Sequence, residues 1–214
     1  MKWERARTEE QKQQRVNEIV AATARLYDKQ SFEEITFAAI AKEASFTRSN
    51  LYKYFNSKEE IFLEFLKHDL ADWARELLKS FDSSQSYSVK EFASIWVDSS
   101  LKRKRLIDLV SLLHTFLEKN VSKDHLVAFK RSITIELQAV SDLLCKLLPE
   151  MTPLKVMRFT NMQMSLASGL YQMTNLTELQ REVLDDPEFE HFKVDFDSHL
   201  RDATEYLLRG LLFS

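Results

Sequence analysis

The chain has 214 residues, 44% of them hydrophobic, enough apolar material to close a core without disulfides or a structural metal. Its single cysteine, Cys145, excludes an intrachain disulfide and suits a reducing compartment, while two glycines and three prolines are too few for sheets joined by tight turns, so an all-α fold is expected. The formal net charge of −3 argues against a uniformly basic nucleic-acid binder, but the window from Thr36 to Lys58 holds Lys42, Arg48, Lys53 and Lys58 against one acid, Glu43.

In chain order, the N-terminal stretch through Arg15 is too charged for a signal peptide, and no apolar run reaches the length of a membrane span; a cytoplasmic protein is expected. Thr8-x-x-Gln11 reads as a capping box ahead of a helix over roughly 9–29, whose apolar stripe is Val16, Ile19, Val20, Thr23, Leu26 and Tyr27. Thr36 then caps a short helix, Ala44, Ser45 and Phe46 form a turn, and Thr47 caps a second short helix through Phe55. Ser57-x-x-Glu60 opens a long amphipathic helix burying Ile61, Phe62, Phe65, Leu66, Leu70 and Trp73.

A Ser-rich break at 82–86 precedes Ser88-x-x-Glu91, the start of a helix to about Leu101. The run Leu106 to Leu117, apolar on nearly every face, reads as a central buried helix, and Lys102 to Arg105 before it as an exposed, self-repelling helix face. Ser122 caps a long helix ending before Pro149, Thr152-Pro153 starts another, and the last runs from about Phe192 to Leu212 after Asp186-Pro187. The expectation is about nine helices, divided into residues 1–56 and 57–214 without a flexible linker.

The segment Thr36 to Lys58 has the layout of a helix-turn-helix, in which the second helix offers its N-terminal side chains to base edges. Ile40, Ala41, Ala44, Phe46, Leu51 and Phe55 supply its interior, leaving Thr47, Arg48, Ser49, Asn50, Lys53 and Tyr54 largely on the other faces. The string from Ile40 through Glu60, IAKEASFTRSNLYKYFNSKEE, resembles the TetR family pattern I-A-x-x-A-G-V-S-x-x-x-L-Y-x-Y/H-F-x-S/N-K-E-x-L over about the first 65 residues. Two residues depart from it: Ser45 stands where the turn glycine is usual, and Gln30 where a glycine usually follows the first helix.

The resemblance implies a three-helix DNA-binding domain in which Thr36, Lys58 and the hydroxyls of Tyr52 and Tyr54 bind phosphates. It implies also that Thr47 caps the recognition helix, while Arg48, Ser49, Asn50 and Lys53 face the groove, Arg48 suited to guanine and Asn50 to adenine. Lys2, Arg5 and Arg7, ahead of the first helix, read either as contacts to phosphates or an adjacent groove or as an untethered terminus. For residues 57–214 the resemblance implies a helical effector-binding and dimerisation domain. A homodimer contacting two half-sites of double-stranded operator DNA, usually as a repressor released by a small molecule, would follow.

Polar residues within apolar stretches, His114, Asn161 and Gln163, with Phe92, Trp96, Phe116, Tyr171 and Met173 as aromatic or flexible walls, are candidates for a hydrophobic or amphipathic effector. The small residues Ala167, Ser168 and Gly169, and the stripe Leu200, Ala203, Thr204, Leu207 and Leu211, are candidates for the dimer interface. Taken singly, each pocket candidate reads first as an ordinary core residue, and packing within one chain gives the same pattern as the dimer stripe. No cofactor and no enzyme activity is expected, since phosphate loops, zinc-protease motifs and nucleophile elbows are missing from the sequence. Glu188-x-x-His191 is half of a di-iron pattern and keeps a helical metalloenzyme open, beside a protein-binding adaptor.

Overall fold

A computed structural model describes residues 9–213. Its regular elements are α1 (Glu9–Tyr27), α2 (Phe37–Glu43), α3 (Arg48–Leu51), α4 (Lys58–Ser80), α5 (Val89–Leu101), α6 (Lys104–Leu112), α7 (Lys123–Leu147), α8 (Pro153–Thr174), α9 (Glu178–Leu184) and α10 (Phe196–Leu212). No strand occurs among the described residues. Thr8, Lys2, Arg5 and Arg7 lie outside them.

Two compact units emerge: one holds the chain up to His68 together with Leu113–Ser132, the other Asp69–Leu112 and the chain from Ile133 on. The division therefore falls within α4 and within α7, and it groups residues 113–132 with the N-terminal helices.

In the first unit the apolar stripe of α1 is buried as its spacing requires, with Ile19, Ala22 and Thr23 closed off and the Thr23 hydroxyl donating to the Ile19 carbonyl at 2.9 Å. Phe62 of α4 meets Phe32 and Tyr27 edge to face, at centroid distances of 4.9 and 5.3 Å. Each fully buried phenylalanine contributes roughly 1.5–3 kcal/mol relative to exposure, so this aromatic knot fixes the start of α4 against the end of α1 and the loop that follows it.

The expected caps at Thr36, Ser88, Ser122 and Thr152 are made as the sequence indicates, the Ser122 hydroxyl accepting the His125 N–H at 3.3 Å. Thr36 and Thr152 accept the N–H groups three residues on, and Ser88 with Glu91 closes a reciprocal capping box. The box at Ser57 is altered: Ser57 Oγ accepts from the Glu60 N–H at 3.2 Å, but the Glu60 carboxylate reaches one residue further back and takes the Asn56 N–H at 2.7 Å.

In the second unit α10 packs on α5 and α8, and α6 on α8. Its centre is aromatic, with Trp96 edge-on to Trp73 at 5.3 Å and to Phe159 at 5.0 Å, and Phe81 stacked on Phe92 at 4.7 Å.

Four expectations are corrected here. Among the described residues there are ten α-helices rather than about nine, because Thr177 and Gln180 form a capping box that starts α9. A 3₁₀ turn, Pro187–Phe192, follows, and α10 begins only at Phe196, where Asp195 accepts the Ser198 N–H at 2.8 Å. The run 106–117 is not one buried helix: α6 ends at Leu112 and continues as a π-helical turn, Leu113–Leu117, in which His114, Thr115 and Phe116 are exposed. Finally, Arg103 and Arg105 are not a free repelling face, since Arg103 pairs with Glu76, and Arg105 forms a two-pronged bridge to Asp69 at 2.8 and 2.9 Å.

Candidate nucleic-acid interface

α2 and α3 are joined by a turn whose geometry follows from hydrogen bonding. The Phe46 N–H donates to the Ala41 carbonyl at 2.8 Å and the Ser45 N–H to Lys42 at 3.1 Å, the two bonds of a Schellman motif. Such a motif places the residue after the cap in the left-handed region, and Ser45 has φ 60°, the one positive φ of a non-glycine among the described residues. Gln30, the other departure from the family pattern, keeps a negative φ, so no glycine is needed there.

The Thr47 hydroxyl accepts the Asn50 N–H at 3.2 Å and caps α3. Instead of a continuous helix through Phe55, α3 is one α-turn extended by hydrogen-bonded turns, in which Tyr54 and Phe55 both donate to Leu51. Ile40, Ala41, Leu51 and Phe55 are buried beneath it. Arg48, Ser49, Asn50 and Lys53 all stand exposed on its outer side, as do Thr36 and Thr47.

Tyr52 lies over Phe37 with centroids 4.6 Å apart and its hydroxyl accepts from Arg48 at 3.3 Å, which braces the arginine outward. Tyr54 is half-buried, edge-on to Phe46. The surface therefore combines a fork of guanidinium donors, an amide, hydroxyls and a lysine, the donor set that suits phosphates and base edges.

Lys58 is placed differently from the phosphate role inferred for it. Its ammonium donates to the carbonyls of Phe32 at 2.7 Å and Ile35 at 3.0 Å, and sits 4.1 Å from the centroid of the Phe32 ring. Those carbonyls belong to the loop before α2 and have no helical partner for the lysine to displace, so the cation ties that loop to the first turn of α4.

The candidate effector residues are not brought together. Phe92 and Trp96 are closed into the aromatic centre, and the Trp96 indole N–H has no hydrogen-bond partner among the described residues. Gln163, 4% exposed, has an unpartnered amide nitrogen and lines a cavity of about 40 Å³ with Leu70, Trp73, Leu106, Ile107 and Ala167. Burial, helped by the Asp108 carboxylate, pushes the half-buried Tyr171 hydroxyl pKa up; its ring meets Phe196 instead. Asn161 and Met173 face outward.

His114, its side chain 76% exposed, pairs with Glu118 in the other compact unit, where Phe116 rests near Phe32. Despite its burial, Glu118 is held below the usual carboxylate range by hydrogen bonds from Lys130 and His114. Glu188 and His191 lie exposed on the 3₁₀ turn, the imidazole against Phe192.

Two members of the suggested dimer stripe are corrected. Leu200 and Thr204 are fully buried within their own chain, and the Thr204 hydroxyl donates to the Leu200 carbonyl at 2.6 Å. Ala203, Leu207, Leu211 and Ser168 are half-buried, and Gly169 is open. The outward face of α10 carries instead Tyr206 and Phe213, and that of α8 carries Met157, Met162, Leu166 and Met173.

A short helix capped by threonine, set by a tight turn against a second helix and exposing donors along one edge, defines a helix-turn-helix protein of the DNA-binding class. A family model described as "Bacterial regulatory proteins, tetR family" matches residues 19–65, and one described as "Tetracyclin repressor-like, C-terminal domain" matches residues 67–214. The chain belongs to the TetR family of bacterial regulators.

It is 31% identical over 93 residues to YfiR of Bacillus subtilis (strain 168), an uncharacterized HTH-type transcriptional regulator. That match spans 44% of this chain and 41% of the relative's length. Among solved structures, the TetR family repressor AlkX from Dietzia sp. strain DQ12-45-1b superposes with a TM-score of 0.51 at 15% identity, covering 92% of this chain and 94% of that one. The fatty acid degradation regulator FadR from Bacillus halodurans gives 0.48 at 17%, covering 91% and 98%.

Proposed function

We propose that this chain is a cytoplasmic, ligand-responsive repressor that reads operator DNA as a homodimer, residues 1–56 carrying the reading head and residues 57–214 the effector and dimer functions. The observation that carries the reading is the edge of α3: Arg48, Ser49, Asn50 and Lys53 are exposed together on a turn held rigidly by the Thr47 cap, the Ser45 turn and the buried Leu51. Thr36 and the Tyr52 hydroxyl flank that edge and would take backbone phosphates.

The dimer part of the reading draws on the only two glycines of the chain. Gly169 in α8 and Gly210 in α10 each face open space among the described residues, with nothing within 4 Å of where a side chain would begin. A glycine inside a helix costs about 1 kcal/mol relative to alanine, and no neighbour in this chain requires either of them. Close approach of a second copy supplies the requirement, and the exposed Leu166, Tyr206 and Phe213 supply apolar surface for it.

The effector part rests on Gln163, whose free amide donor beside an apolar cavity fits an amphipathic organic molecule bearing a hydrogen-bond acceptor. The cavity holds little more than a methyl group at rest, so entry must part α6 and α8. We assign the transmission of that movement to α4, which begins directly after the reading head.

Selection of bound sequences from random duplexes, followed by binding titrations of Arg48→Ala and Lys53→Ala, tests the proposal. Salt-sensitive, sequence-selective binding that is lost in the variants while helicity is kept is the expected result. Binding indifferent to both substitutions would favour an adaptor.

A further inference from the structure

A concavity in the first unit borders the outer edge of α3 and shares Asn50 and Lys53 with it. It is a groove of about 650 Å³ lined by Gln11, Lys12, Gln14 and Arg15 of α1, by Ser45 and Phe46 of the turn, and by Asn50, Lys53 and Tyr54. Three of its nine lining side chains are cations, five are neutral groups able to hydrogen-bond, and none is an acid. Arg15 is partly engaged, donating to Glu18 at 2.6 Å with its guanidinium 5.8 Å from the Phe46 ring centroid. The Lys12 and Lys53 side chains are exposed and make no ion pair or hydrogen bond among the described residues.

We propose that this groove seats a backbone phosphate of the duplex, making α1 a second DNA-contacting element beside the recognition helix. The inference rests on the DNA-reading function proposed above and extends it to residues that the helix-turn-helix motif does not include. Three arguments support it.

The charge is right: a phosphodiester bears one negative charge per nucleotide and displaces condensed counterions when lysines neutralise it. The chemistry is right, because the Asn50 amide and the Tyr54 hydroxyl set further donors beside the cations, while the Gln14 amide leans on Glu18 at 3.5 Å. The position is right, since Asn50, Lys53 and Tyr54 form one wall of the groove and also belong to the reading element. A base pair docked against Asn50 brings its own strand's phosphates to that wall, and Lys12 closes the opposite side. Such a contact fixes register without reading sequence.

The test uses the full chain and a duplex chosen by selection, comparing wild type with Lys12→Gln and Gln14→Glu. Both positions are exposed on α1, so folding is unaffected and is checked by circular dichroism. Lys12→Gln should lower the slope of log affinity against log salt by about 0.9, the value for one phosphate contact, and leave the selected sequence unchanged. Phosphate-ethylation interference should show one position per half-site, outside the bases protected by Arg48 and Asn50, that loses its effect in Lys12→Gln. Gln14→Glu should weaken binding further at low salt.

If wild type binds its selected duplex and both variants keep its slope and interference pattern, the groove is empty in the complex and the inference fails alone. If wild type binds no duplex in a salt-sensitive way, the DNA-reading function fails and takes the groove with it. Saturable binding of inorganic phosphate at fixed ionic strength, abolished in Lys12→Gln, would assign the groove to a free anion and overturn the proposal.

Discussion

Both compact units use cations as struts, but the first also leaves a set of them unpaired at its surface. In the second, arginines hold helices together: Arg105 clamps the Asp69 carboxylate with two bonds, and Arg201 joins Asp98, Asp197 and the Ser94 carbonyl. In the first, Arg25 likewise ties α1 to α2 through Glu43 at 2.7 Å, but Arg48, Lys53 and Lys12 stand exposed without an acid opposite them. A cation that finds a carboxylate within its own chain becomes a strut with its charge neutralised; one that finds none keeps its field for an outside partner. Lys58 shows that the division is set by neighbours rather than by unit, because it lies beside the reading head and is nevertheless consumed by two carbonyls.

The comparison breaks most visibly at α3. Replacing Arg48 and Lys53 together by alanine should reduce operator affinity by about 100-fold or more, each lost base or phosphate contact being worth roughly 1–3 kcal/mol, with an unchanged melting temperature. Fluorescence anisotropy on a labelled duplex measures the first and thermal denaturation the second; a fall in stability without a fall in affinity would put these residues with the struts. Asp69→Ala is the converse. Its carboxylate is 8% exposed, and removing it strands Arg105, which is itself partly open to water. A loss of about 2 kcal/mol in urea unfolding is expected, lower than for a fully buried pair because of that opening, with operator affinity of the folded protein retained.

How much of this is legible in the sequence depends on how far apart the interacting residues lie. Caps are written within four residues, so Thr36, Thr47, Ser88 and Thr152 are read correctly, and so is the amphipathic face of α1. The pairing of Arg105 with Asp69 spans 36 residues and leaves no local trace; the run Lys102 to Arg105 accordingly looks like a repelling patch. α8 is harder still, because its apolar residues occur on both sides. Val156, Phe159, Gln163 and Ala167 are buried while Leu154, Met157, Met162 and Leu166 are exposed, so nothing in the pattern says that Gln163 turns in and Asn161 out. The same ambiguity makes Leu200 and Thr204 look like an interface when they are core. For Lys58 the family resemblance suggests a phosphate, and only the three-dimensional position of the Phe32 and Ile35 carbonyls reveals the other use.

The outward face of α8 offers a sharper test of what an exposed surface is for. Gly169→Leu adds a side chain where this chain has open space, so an isolated chain should gain slightly in helix propensity. If a second copy packs there, overpacking should weaken dimerisation by about tenfold or more. Sedimentation equilibrium across a dilution series distinguishes the cases, and an unaltered dimer would move the interface away from Gly169.

The smallest effect concerns the two departures from the glycine pattern, and it separates real from apparent strain. Ser45 occupies the left-handed position of the Schellman turn with φ 60°, at a cost on the order of 1 kcal/mol for a residue with a Cβ. Ser45→Gly relieves that cost but gives the unfolded chain more freedom, which takes back part of the gain, so a net stabilisation below about 1 kcal/mol is expected. Gln30 keeps a negative φ, and Gln30→Gly has only the entropic penalty, a loss of up to about 1 kcal/mol. Opposite shifts of the unfolding midpoint are therefore predicted for the same kind of substitution 15 positions apart. Shifts of the same sign would mean that Ser45 is not strained, and that the orientation of Arg48 and Asn50 owes nothing to a backbone held away from its preferred conformation.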